Sequence, residues 1–179
     1  MHFPAMATLT ALFAATAFAL LAGSEAEEFL PYAGPDNYII QNVKTGTVLD
    51  LLNGRPGPNT PLNGYQLNPG PHQRWYVAST GANDDVMIVN TATGAIASCP
   101  HSVNAPNGWY QMIGGEVPVD GYSRFNMIPN KDSSVQFKNQ ANGWCMDMAQ
   151  SSSADGTNVL CYPCHPGVGT NQNWVMVLA

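Results

Sequence analysis

Three stretches of the chain share one pattern of apolar and polar positions. Each has a short apolar run, a polar turn that ends in glycine, and a second short apolar run. They are Tyr38-Ile-Ile-Gln-Asn-Val-Lys-Thr-Gly46, Val86-Met-Ile-Val-Asn-Thr-Ala-Thr-Gly94 and Val135-Gln-Phe-Lys-Asn-Gln-Ala-Asn-Gly143. The asparagines fall at 42, 90 and 139 and the glycines at 46, 94 and 143, so both recur after 48 and then 49 residues. A second landmark closes each unit: Gln73-Arg74-Trp75, Ser123-Arg124-Phe125 and Gln172-Asn173-Trp174, with aromatic spacings of 50 and 49. Two landmarks with one period define three internal repeats, about 35–79, 80–130 and 131–179.

A repeat of this length accommodates about four short strands. Asn-x-x-x-Gly is a hairpin signal in which glycine supplies positive φ. No segment beyond the N-terminal region sustains a helical period, so the chain is predicted to be all-β. The closing aromatic stands among apolar neighbours each time and is expected in the core. No single repeat is large enough to bury a core alone, so the three must share one. Closure about a three-fold axis does this economically. The alternative is an open solenoid, but neither end shows an atypical capping repeat.

Composition narrows the function. The chain has 179 residues, 10% of them charged, with 6 Lys+Arg against 12 Asp+Glu and a net charge of −6. The six bases are scattered, so neither a nucleic-acid footprint nor an anionic-membrane patch is expected. With 45% apolar residues the chain is not disordered, and its 17 glycines and 14 prolines suit short strands joined by tight turns. Residues Ala11 to Ala22 form an uncharged apolar run followed by small residues, the pattern of a secretory signal. Residues 1–24 are therefore expected to be removed. A secreted, extracellular domain at 25–179 would remain, with no membrane span. No Asn-x-Ser/Thr sequon occurs. Cys99, Cys145, Cys161 and Cys164 make an even count that favours disulfides in a secreted protein, with three pairings open. Cys161-Tyr-Pro-Cys164 lacks the βαβ setting of a redox motif and lacks the second C-x-x-C of a common zinc site. No hydrolase, zinc-protease or nucleotide-loop motif is present, so an enzyme is not expected.

The Gln-x-Trp tripeptide, closing repeats of this length, resembles the ricin B-type lectins. The third repeat matches best, through Asn142-Gly-Trp-Cys-Met-Asp-Met148, Asp155-Gly-Thr-Asn-Val-Leu-Cys-Tyr-Pro-Cys164 and Thr170-Asn-Gln-Asn-Trp174. The first matches through Gly46-Thr-Val-Leu-Asp-Leu51 and His72-Gln-Arg-Trp75. The resemblance implies a β-trefoil of twelve strands, a six-stranded barrel with a cap of three hairpins. It also implies a Cys145–Cys164 disulfide, which would leave Cys99 and Cys161 as the second pair. No cofactor is implied.

By the same resemblance, sugar binds once per repeat, and the physics of such a site is plain. A carboxylate accepts from a pair of hydroxyls, an aromatic ring covers the C–H face of a pyranose, and amides both donate and accept. In the third repeat these roles map to Asp147, Tyr162, Asn171 and Gln172. In the first they map to Asp50, Asn63, Tyr65, His72 and Gln73, with His72 in place of the usual Asn. Two roles are open to Gln73 and Gln172: sugar contact, or capping backbone groups near the tryptophan. In the second repeat Ser98 stands where Asp is needed, so that site is expected to be weak or dead, although Trp109 offers a platform. The expected function is a lectin for galactose or N-acetylgalactosamine-type glycans and the glycoproteins that carry them. The alternative is a β-trefoil protease inhibitor acting through the insert from Ala105 to Gly121.

Overall fold

A computed structural model describes residues 32–68, 70–81, 85–101, 107–115 and 119–179. The expected signal at 1–24 and part of the Ala105–Gly121 insert lie outside the described residues. Thirteen strands form: β1 (Asp36–Asn42), β2 (Val48–Leu51), β3 (Thr60–Tyr65), β4 (Trp75–Ser79), β5 (Asp85–Asn90), β6 (Ile96–Ser98), β7 (Tyr110–Gln111), β8 (Ile113–Gly115), β9 (Phe125–Pro129), β10 (Val135–Asn139), β11 (Cys145–Met148), β12 (Thr157–Tyr162) and β13 (Trp174–Leu178). The thirteenth arises because Met112 interrupts one strand between β7 and β8.

The pairing closes on itself. β1 pairs with β4, β4 with β5, β5 with β9, β9 with β10, β10 with β13 and β13 with β1, all antiparallel. That circuit is a six-stranded barrel. The remaining strands make three hairpins, β2–β3, β6–β8 and β11–β12, which meet through β3–β8, β3–β12 and β7–β12 contacts. The fold is a β-trefoil, the form that the resemblance implies for the three-fold closure expected from the repeats. The closed barrel removes the exposed edges that an open three-unit solenoid would leave.

The core is layered by the same period. Trp75, Phe125 and Trp174 are fully buried, as are Ile40, Ile88 and Phe137, and Leu49, Ala97 and Met146. The two tryptophans donate their indole Nε1–H to the carbonyls of Leu49 (2.9 Å) and Met146 (3.0 Å). Phe125 has no such donor and contributes packing alone.

The repeated asparagine does more than make a turn. In each hairpin Gly46, Gly94 or Gly143 sits at φ near +73° and donates its N–H to the carbonyl of Asn42, Asn90 or Asn139. The asparagine Oδ1 accepts from the two following turn amides, at 3.1–3.3 Å. Its Nδ2 reaches into the preceding repeat. Asn90 donates to the His72 carbonyl (3.1 Å), Asn139 to the Tyr122 carbonyl (2.8 Å), and Asn42 closes the circle on the Asn171 carbonyl (2.9 Å).

Two disulfides are present, Cys145–Cys164 inside the third repeat and Cys99–Cys161 between the second and third. Each half of the C-x-x-C thus belongs to a different bridge. Cys99 is the repeat equivalent of Leu51 and Met148 in the core. Cys161 lies on β12 opposite Tyr110.

Two outcomes follow for stability. Asn139→Ala should cost about 2–4 kcal/mol, because it frees buried carbonyls and turn amides together; urea unfolding measures it. On loop length, removing Cys99–Cys161 (separation 62) should cost about 4 kcal/mol and removing Cys145–Cys164 (separation 19) about 3 kcal/mol. Paired Cys→Ala variants would show the order.

Candidate functional site

Two clefts occupy equivalent places in the first and third repeats. In the first, Asp50 points from the end of β2 toward a cleft of about 320 Å³ lined by Leu52, Asn53, Tyr65, Asn68 and His72 as well. In the third, Asp147 from β11 lines a cleft of about 750 Å³ with Tyr162, Asn171 and His165 among its walls. Tyr65 and Tyr162, at the ends of β3 and β12, are 39% and 40% exposed and line the two clefts. After each aspartate the chain makes a single 3₁₀ turn (Leu52–Gly54 and Ala149–Ser151), in which Asn53 and Gln150 take left-handed φ of 56° and 54°. Such strained non-glycine positions cluster at ligand sites.

The carboxylates are held from behind. Gln73 donates through Nε2 to Asp50 Oδ2 (2.8 Å) and the Gln66 carbonyl (3.0 Å), while its Oε1 accepts from the Asn68 amide (2.8 Å). Gln172 repeats this with Asp147 Oδ2 (2.8 Å), the Pro163 carbonyl (3.1 Å) and the His165 amide (3.0 Å). Both glutamines are fully buried and line neither cleft. Of the two roles open to them, the geometry gives support: they orient the carboxylate and cap the loop. Asn171 sits at the cleft wall and donates to Asp147 Oδ1 and the Met148 carbonyl, both at 2.8 Å. His72 stands in its place in the first repeat, with Nε2 3.4 Å from Asp50 Oδ2. Asn63 lies opposite Asp50 across β2–β3, but it is buried, takes the Gln111 amide at 3.2 Å and does not line the cleft. Leu160 is its equivalent in the third repeat and does face the cleft.

The second repeat lacks this arrangement at both ends. Ser98 and Ser123 replace Asp and Gln and bond each other at 2.9 Å. His101 stacks on Tyr122 with centroids 4.4 Å apart, and its Nε2 lies 3.0 Å from Asp120 Oδ2. Trp109, a candidate platform for the second repeat, instead lines the third-repeat cleft. Trp144 stacks on Tyr110 at 5.6 Å. The sequence reading missed Asn53 and Gln150, for which the Asn53-Gly54 dipeptide was the available signal. Among the described residues no group of His, Cys, Asp and Glu is placed to hold a metal, and no helix is long and apolar enough to cross a membrane.

Burial sets the electrostatics. It pushes the Asp147 carboxyl up to about 6, against smaller opposing effects of the Gln172 hydrogen bond and nearby His165. Burial likewise raises Asp50, offset in part by Gln73 and His72.

The closed trefoil carries an aspartate–glutamine pair and an exposed tyrosine in two of its three repeats. The chain belongs to the family described as ricin-type beta-trefoil lectin domain-like, whose sequence model matches residues 28–109 and 122–179. Among solved structures, the Rhizoctonia solani agglutinin is similar at 23% identity, covering 81% of this chain and 96% of its own, with a TM-score of 0.70. A Macrolepiota procera ricin B-like lectin in complex with lactose is similar at 19% identity, covering 82% and 98%, with a TM-score of 0.64. The designed three-fold symmetric protein ThreeFoil matches at 19% identity, 79% and 97% coverage and a TM-score of 0.72. No curated protein matches the sequence.

The raised Asp147 value gives opposite pH trends for ligand affinity and stability. An ionised carboxylate accepts hydroxyl hydrogen bonds more strongly, so ligand affinity at the third repeat should fall as pH drops below about 6. The loss should approach about tenfold per pH unit if only the ionised form binds. Stability runs the other way. The native state holds the proton that the unfolded chain releases near 3.8, so the Asp147 contribution is full below 3.8 and is lost as pH rises to about 6. Calorimetric affinities at pH 4.5–8 test the first trend. For the second, the fall in Tm from pH 4 to 7 should be smaller in Asp147→Ser than in the native chain.

Proposed function

We propose that this protein is a secreted lectin that binds galactose or N-acetylgalactosamine-type glycans without transforming them, at the clefts of the first and third repeats. One observation carries the reading. A buried carboxylate, held by a buried glutamine and faced by an exposed tyrosine, occurs at equivalent positions twice, while a serine pair replaces it in the one repeat where the same fold stands without it. A structural role alone would require it three times.

The arrangement suits a neutral polyhydroxylated ring. Each carboxylate has Oδ2 fixed by its glutamine, and Asp147 Oδ1 also takes the Asn171 amide, which leaves a remaining lone pair for a hydroxyl donor from the cleft. The tyrosine ring covers an apolar sugar face, and Asn171 or His72 sits beside the carboxylate. Lactose in the Macrolepiota procera lectin supports a galactoside as the first ligand class to try. The second repeat is read as a non-binding unit. Two shallow sites on one chain favour multivalent glycans on glycoproteins, where linked binding raises effective affinity.

The test is a glycan array with Asp50→Ala, Asp147→Ala and the double variant. Each single change should weaken array binding by more than about tenfold through lost avidity, and the double change should abolish it. The fold should survive, because Gln73 and Gln172 keep their backbone partners. A double variant that binds as the native chain does would reject the assignment.

A further inference from the structure

The two clefts are built on the same positions but differ more than twofold in volume, about 320 Å³ against about 750 Å³. The larger cleft takes in Asn107 and Trp109 of the second repeat, whereas the smaller is lined by the first repeat alone. In the third repeat β12 pairs with β7 of the second repeat, Leu160 opposite Gln111 and Cys161 opposite Tyr110. One step further in that register brings Trp109 opposite Tyr162. Directly opposed residues on antiparallel strands project to the same face, within reach of each other. Both rings accordingly line the cleft. In the first repeat β3 pairs with β12, Thr157 opposite Gly64, so the residue that comes opposite Tyr65 is Gly156. A tryptophan borders one tyrosine, and a residue without a side chain borders the other.

We infer that the third-repeat cleft is an oligosaccharide site, in which Trp109 is the platform for a second sugar ring next to the ring covered by Tyr162, whereas the first-repeat cleft takes a single terminal sugar. This rests on the proposed lectin reading and extends it to ligand length. The internal comparison carries the size argument. If the smaller cleft holds one ring against its carboxylate and tyrosine, the larger holds two, and the extra wall supplies a second aromatic face. Asn107, also from the second repeat, lines the same cleft and brings an amide that donates and accepts. The walls mix polar side chains with Leu160 and the two rings, and the Asp147 carboxylate among them favours a neutral glycan over an anionic one. The second repeat, which has lost its own carboxylate, thereby contributes to its neighbour's site.

The experiment uses the full chain with Asp50→Ala, so that the third-repeat cleft alone reports. Calorimetry gives dissociation constants for methyl β-galactopyranoside and for lactose, and their ratio is the readout. The ratio should favour lactose by about tenfold, the scale of one added ring contact. Adding Trp109→Ala should bring the ratio near one, and Trp109→Tyr should restore most of it. A ratio unchanged by Trp109→Ala overturns the inference while leaving the lectin reading intact. Equal loss of both probes in Trp109→Ala and Trp109→Tyr also overturns it, since the tryptophan would then belong to the single-sugar site. If the Asp50→Ala chain binds neither probe, the galactoside reading itself fails and the extension fails with it.

Discussion

The structure depends on one interaction made three times around a ring: a buried asparagine that closes its own hairpin and ties down the loop of the repeat before it. Asn42, Asn90 and Asn139 are almost completely removed from solvent, so each must satisfy both ends of its amide inside the protein. The Oδ1 end does so within the turn, and the Nδ2 end across the repeat boundary. A local turn signal thereby becomes a long-range clamp. Asn42 and Asn171 are 129 positions apart, so this bond joins the first repeat to the last beside the β1–β13 pairing that shuts the barrel. Core residues recurring in threes then pack inside a frame whose register is already set.

The clamps also place the candidate sites. The loop held by Asn90 carries His72 and Gln73, and Gln73 fixes Asp50. The loop held by Asn42 carries Asn171 and Gln172, and both fix Asp147. Asn139 holds the loop around Tyr122 in the same way, yet there the next link is the Ser98–Ser123 pair. Fold and site are thus separable within one molecule. The asparagine, the glycine and the closing aromatic persist in all three repeats, while the carboxylate and its glutamine are found in two.

Most of the fold was legible because its signals are local. Positive φ at Gly46, Gly94 and Gly143 is a property of one turn, and the closing aromatics stand among apolar neighbours. The aspartates and tyrosines of both clefts were legible through the repeat resemblance. What escaped depends on which strands meet. The Cys99–Cys161 pair was legible only as the remainder after Cys145–Cys164, because it requires the second and third hairpins to join at the cap and no spacing states that. Trp109 reads as a second-repeat residue until the β7–β12 register places it beside Tyr162. Gln73 and Gln172 kept two roles open because their sequence neighbours do not reveal that every strong partner lies behind the cleft.

The buried carboxylates settle the order of explanation. Burying a carboxylate opposes its ionised form, and the upward displacement of Asp147 to about 6 is the signature of that penalty. A pair of serines fills the equivalent space in the second repeat, bonded to each other and nearly as buried, with no charge to desolvate. The trefoil therefore has a less costly solution at this position and uses it once. Where it keeps the aspartate it also keeps a dedicated glutamine behind it and an exposed tyrosine in front. A destabilising group held together with the parts that orient it toward the cleft is what the proposed lectin reading requires, a ligand able to donate to the carboxylate oxygens from that side.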